Sequence, residues 1–74
     1  MPDQELDARG LNGPLPILRA KRALREMEGG QTLLVTATDP GSVKDFEAFA
    51  EQTGCELVES SGDEGEYTFL VRKA

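Results

Sequence analysis

The stretch Leu6-Asp7-Ala8-Arg9-Gly10-Leu11-Asn12-Gly13-Pro14-Leu15-Pro16-Ile17 joins the first strand to the first helix. From Gln4 to Asp7 the only strong apolar residue is Leu6, with Ala8 following at period two, which predicts a short strand. Gly10 to Gly13 reads as a turn. Pro14 then opens a helix, because a proline at the first helical position lacks only an N–H that would be unpaired there. Downstream, Ile17, Ala20, Leu24 and Met27 recur at helical spacing with Leu18 beside them, and Gly29-Gly30 ends the helix.

The same period logic carries to the C-terminus. Thr32 to Thr38 is β-branched and apolar, a central strand. Asp39-Pro40 predicts a second helix start, with Asp39 as N-cap and Pro40 in the first turn. Val43, Phe46 and Ala50 share one face of that helix, Phe49 flanks it, and Gly54 closes it. Cys55 to Ser60 forms a third strand, Gly62-Asp63-Glu64-Gly65 a hairpin connection, and Tyr67 to Lys73 a fourth strand with Tyr67, Phe69 and Val71 on one face. Both helices need one sheet to bury their single apolar stripes. The expected architecture is a two-layer α/β (α+β) sandwich, β-α-β-α-β-β, with a mixed four-stranded sheet and both helices packed on one face.

Composition narrows the chemistry. The 74 residues make one domain, 1–74. A chain of this size buries only about 60% of its unfolded surface, which leaves little room for a deep cavity. Net charge is −6 with no histidine, which excludes histidine acid–base catalysis and disfavours direct nucleic-acid binding. The lone Cys55 excludes an internal disulfide and a cysteine-cluster zinc site, and fits a reducing compartment. Its expected role is that of a small, buried or half-buried spectator. Met1-Pro2-Asp3-Gln4-Glu5 has neither the basic nor the apolar region of a secretory leader, and no apolar run approaches the ~20 residues of a membrane span. A cytoplasmic protein without membrane contact is expected.

Two clusters carry functional interest. Pro14 and Pro16 leave Leu15 and Ile17 as the chief free donors of the first helical turn. A group at position 13 sits at the positive end of the helix dipole, worth about 0.3–1 kcal/mol to a nearby anion. Such a place lowers a thiol's pKa and stabilises a thiolate or persulfide. The residue there is Gly13, and Asn12-Gly13 is also an ordinary turn dipeptide. Asp7 fits a structural role as an acidic strand residue that avoids the core. The first helix bears Arg19, Lys21, Arg22 and Arg25, half of all basic residues. They form a solvated face or a docking surface for an acidic partner.

Leu6, Asp7, Gly10, Leu11, Pro14 and Pro16 match the pattern Leu-Asp-x-x-Gly-Leu-x-Cys-Pro-x-Pro. The chain thereby resembles the TusA/SirA sulfur carriers. Thr38-Asp39-Pro40-Gly41-Ser42, Asp45, Phe46, Phe49, Gly54 and Glu56-Leu57 extend the likeness, which runs from about Leu6 to Arg72. The pattern departs at Gly13, where the family has its persulfide-bearing cysteine; Gly10, Leu11, Pro14 and Pro16 support that position. The resemblance implies the same fold. It also implies a sulfurtransferase that takes sulfane sulfur from a cysteine desulfurase or rhodanese-like donor and passes it to a downstream acceptor protein. The routes it implies are tRNA thiolation, molybdenum cofactor supply and sulfur oxidation, with no cofactor or metal; a domain of this fold can stand alone, and a monomer is expected. Arg19, Arg22 and Arg25 would then lie on the docking side. With glycine at position 13 the chain is expected to be inactive in sulfur transfer. Three origins of Gly13 stand open: an introduced substitution, a natural paralogue that lost its nucleophile, and an error of sequence. A paralogue of that kind would be a non-catalytic interaction or regulatory module.

Overall fold

The computed structural model describes residues 1–74. Its elements follow the order β1 (Gln4–Ala8), α1 (Leu15–Arg25), β2 (Thr32–Ala37), α2 (Ser42–Thr53), β3 (Glu56–Asp63) and β4 (Glu66–Arg72). The sheet order is β1-β2-β4-β3. β1 runs parallel to β2, pairing Leu6 with Val35 and Ala8 with Ala37. β4 is antiparallel to both β2 and β3. A parallel pair cannot be closed by a hairpin, so the chain crosses over through α1 between β1 and β2.

One sheet face is buried and the other open, as strict alternation in β2 requires. Leu33, Val35 and Ala37 are buried, whereas Leu34 and Thr36 between them are only half-buried. Phe69 and Val71 of β4 and Ala8 of β1 share the inner face and join Ile17, Ala20, Leu24, Phe46 and Phe49 of the helices in one core. Phe46 stacks on Phe69 with ring centroids 4.4 Å apart and planes 10° apart, which ties α2 to the sheet. The two-layer reading with both helices on one face therefore holds.

Several boundaries differ from expectation for physical reasons. α1 ends at Arg25 rather than at Gly29-Gly30, and Met27 is buried beyond the helix. There the Lys73 ammonium donates to the carbonyls of Arg25 and Met27, replacing another helical turn. Leu18, placed beside the apolar stripe, is 51% exposed. α2 buries Ser42, Phe46 and Phe49, while Val43 and Ala50 are half-buried, so the inward stripe is rotated from the expected face. β3 begins after Cys55 and runs on to Asp63. The hairpin therefore tightens to two residues, Glu64 at φ 50° and Gly65 at φ 82°, between the paired Asp63 and Glu66. Positive φ at both positions is the type I′ turn that matches strand twist.

Candidate functional site

β1 and β2 are adjacent and parallel, so the loops leaving their C-terminal ends lie side by side. The first carries Gly10 to Pro14, the second Thr38 to Gly41. Two hydrogen bonds join them. The Gly10 amide donates to Thr38 Oγ1 at 2.9 Å, and the Gly13 amide donates to Asp39 Oδ2 at 2.6 Å. Asp39 Oδ1 also accepts from the Gly41 amide at 3.0 Å, and the Asp39 carbonyl accepts from Ser42 at 3.0 Å. This is a turn with aspartate first and proline second. Asp39 is accordingly not the N-cap of α2. That place falls to Gly41, because the Asp39 carboxylate is spent on the turn and on the neighbouring loop.

Gly13 is exposed, directly ahead of the helix start. Its φ is 61°, in the left-handed region that favours glycine, and a Cβ built on it would meet nothing within 4 Å. Pro14 is the N-cap of α1 at φ −81° and ψ −2°, so the helix begins one residue later than expected, at Leu15, and Pro16 is the proline inside the first turn. Pro16 is fully buried, so it anchors the turn to the core while Pro14 stays exposed. Leu11 is half-buried against the core, and its amide donates to the Ala8 carbonyl at 3.3 Å. Gly10 takes φ 81°. The motif residues thus converge on one corner of the molecule.

The donor inventory at that corner differs from the sequence reading. The Leu15 amide is not free; it donates to the Asn12 carbonyl at 3.3 Å. The Ile17 amide bonds to neither Gly13 nor Pro14. The Gly13 amide faces the Asp39 carboxylate. Sequence reasoning missed Asp39 and Thr38 as parts of the site. The available signal was that two successive strands joined by one helix end on the same side if they pair in parallel.

The basic residues of α1 are divided. Lys21 lies over the Phe49 ring at 5.8 Å and packs α1 against α2. Arg22 and Arg25 occupy the last turn, where positive charge complements the helix dipole. Arg19, Arg22 and Arg25 are exposed and make no ion pair. Leu15 and Leu18 are 43% and 51% exposed, an apolar step between Gly13 and these arginines. Cys55 is half-buried against the core, and its amide donates to Thr53 Oγ1 at 3.3 Å. No group of His, Cys, Asp or Glu side chains is placed to hold a metal, and no helix is long and apolar enough to cross a membrane.

Asp7 is built into an exposed clasp outside this corner. Its Oδ1 accepts from Arg9 Nε at 2.9 Å and from the Arg9 amide at 3.1 Å, and its Oδ2 from Arg9 Nη2 at 3.1 Å. These bonds, the guanidinium's first and the amide's second, hold the carboxyl down at about 2. A depressed carboxylate stabilises the fold above its unfolded titration range and loses that contribution as pH falls toward 2. In a carbon-detected NMR titration the Asp7 carboxyl should protonate well below the ordinary aspartate range, near pH 2. Arg9→Ala should return it to the ordinary aspartate range, and an unchanged midpoint in that variant would contradict the assignment. The same residues, with Glu5, Leu6, Leu34, Thr36 and Glu66, line a shallow groove of about 380 Å³ on the open sheet face. Of the motif residues it contains only Leu6 and Asp7, and none from the corner at Gly13.

Comparison with known proteins bears on the corner and on the whole chain. The profile of the family described as Sulfurtransferase TusA matches residues 4–73. The sulfur carrier protein TusA of Allochromatium vinosum is 65% identical over 72 residues, covering 97% of this chain and 95% of that protein. The crystal structure of a SirA-like protein from Desulfitobacterium hafniense superposes with a TM-score of 0.82 at 30% identity, covering 93% of this chain and 95% of that one. A match that leaves out only the first three residues and the last takes in every element described above, and the chain belongs to the TusA family of sulfurtransferases.

Proposed function

We propose that the chain is a sulfur-carrier scaffold whose carrying position is residue 13. The observation that carries the reading is the placement of Gly13: exposed, immediately before α1, with open space where a side chain would project. A sulfur there would reach solvent and a partner's cysteine without any rearrangement of the core. The partners that fit are a cysteine desulfurase or rhodanese-like donor and a downstream acceptor protein. Both would dock over Leu15 and Leu18 with Arg19 and Arg22 beside them. Exposed apolar contact supplies affinity, and the unpaired guanidinium groups steer an acidic partner. The carrier needs no cofactor, acts as a cytoplasmic monomer, and serves a relay such as tRNA thiolation, molybdenum cofactor supply or sulfur oxidation.

Glycine has no thiol, so the chain with Gly13 does not itself form a persulfide there. Incubation with a cysteine desulfurase and free cysteine should leave its intact mass unchanged, whereas Gly13→Cys should gain one sulfur atom that a reducing agent removes. In that step the thiolate of the introduced cysteine attacks the outer sulfur of the donor's persulfide. The donor's S–S bond breaks, its cysteine leaves as thiolate, and a new S–S bond forms on the variant. A folded Gly13→Cys chain that gains no sulfur would overturn the reading.

The left-handed φ of Gly13 supports a second reading. The loop has the backbone conformation that suits glycine, as expected of a paralogue that kept the docking face as an interaction or regulatory module. The two readings separate on the source gene: a glycine codon at position 13 favours the module, a cysteine codon the carrier.

A further inference from the structure

Resting on the reading of position 13 as the sulfur-carrying place, we propose that Asp39 is the positioning residue of that site, acting through the Gly13 amide. The geometry is a clamp. One carboxylate oxygen accepts from the Gly13 amide at 2.6 Å, the other from the Gly41 amide at 3.0 Å, so a single half-buried side chain fastens the loop of β1 to the loop of β2. Thr38 repeats the tie one residue earlier, on Gly10. An amide-to-carboxylate bond of this length is charge-assisted and stronger than a neutral one. It holds position 13 in its left-handed conformation, where a built Cβ meets nothing within 4 Å but any side chain other than glycine's is strained by the backbone.

The clamp has an electrostatic consequence. The amide of position 13 itself is already satisfied by a carboxylate. A thiolate or persulfide there would sit beside a fixed negative charge, and like charges disfavour ionisation. The other charged side chain near this loop in sequence, Arg9, is turned to Asp7 and Glu66 and offers no counter-charge. Among the loop's hydrogen bonds to side chains, only those to Thr38 and Asp39 cross to another element. Asp39 therefore trades anion stabilisation for precision of presentation. It keeps the sulfur position in place and disfavours ionisation of a thiol held there.

Two measurements test this, the first without any sulfur. In the chain as it stands, Asp39→Ala and Asp39→Asn should each speed hydrogen exchange of the Gly13 amide by about tenfold or more, with core amides such as Phe69 unchanged. The second uses Gly13→Cys, with and without Asp39→Asn, and follows alkylation of the introduced thiol against pH. Removing the carboxylate should lower the midpoint by about one pH unit, and Asp39→Glu should keep it near that of the parent. A purely structural role would not move the midpoint. Unchanged Gly13 exchange in a folded Asp39→Ala chain, or an unmoved midpoint, overturns the proposal. A Gly13→Cys chain that refuses sulfur while Asp39 still governs the Gly13 amide would sink the relay reading alone and leave the clamp standing.

Discussion

Phe46→Ala is expected to remove most of the stability of this protein. Phe46 is fully buried, stacked on the equally buried Phe69, and it is the main apolar contribution of α2 to the sheet. Truncating a buried phenylalanine costs about 3–5 kcal/mol, and the lost ring pair accounts for about 0.5–1.5 kcal/mol of coupling within that. A domain this small has roughly 4–11 kcal/mol in total at 0.05–0.15 kcal/mol per residue. Urea unfolding of the variant should show a transition midpoint near the low end of measurable values, or a chain unfolded without denaturant. Phe46→Leu keeps most of the volume and should cost clearly less. A double-mutant cycle with Phe69→Leu isolates the stacking, and a coupling indistinguishable from zero would show that the rings act as independent fillers. The site depends on this core only indirectly. α2 carries the Asp39 turn at its start, so loosening α2 loosens the clamp on Gly13.

Most of the architecture was legible in the chain because its signals are local. Alternation in Thr32–Ala37, the helical recurrence of Ile17, Ala20 and Leu24, and the glycine-bearing hairpin each depend on neighbours within one or two turns. Even the exposed corner at Gly13 followed from Pro14 and Pro16, whose missing donors fit only a helix start. What was not legible depends on contacts far apart in sequence. Asp39 has the composition of an N-cap, and only the pairing of β1 with β2 brings the Gly13 amide, 26 residues away, within reach of its carboxylate. Leu18 looks like a core residue by type. With all the sheet on one side of α1, its position faces out, and the side chain is 51% exposed. The end of α1 was missed for the same reason, since the group that satisfies its last carbonyls is Lys73, some 46 residues on from Met27.

That lysine supplies the second large effect. Lys73→Met is expected to lower stability by about 1.5–3 kcal/mol, the range for a hydrogen bond involving a charged group. The ammonium donates to the Met27 carbonyl and, at 3.5 Å, to that of Arg25, at the negative end of α1 where a cation is also favoured by the dipole. Methionine keeps the apolar stem of this half-buried side chain but leaves those carbonyls without their donor. The melting temperature should fall by roughly 10 °C, given about 4–8 °C per kcal/mol for a domain of this length. The backbone around residue 73 tests whether the loss is local. The Lys73 amide donates to Gln31 and its carbonyl accepts from Gly30, each at 2.8 Å. Those two bonds do not involve the side chain, so exchange at Gly30 should change little while amides of the last turn of α1 open faster. Lys73→Arg should recover part of the loss, since a guanidinium can still donate to both carbonyls. An unchanged melting temperature in Lys73→Met would mean that solvent satisfies the helix end as well as the lysine does, and that α1 is held from its proline-bearing start alone.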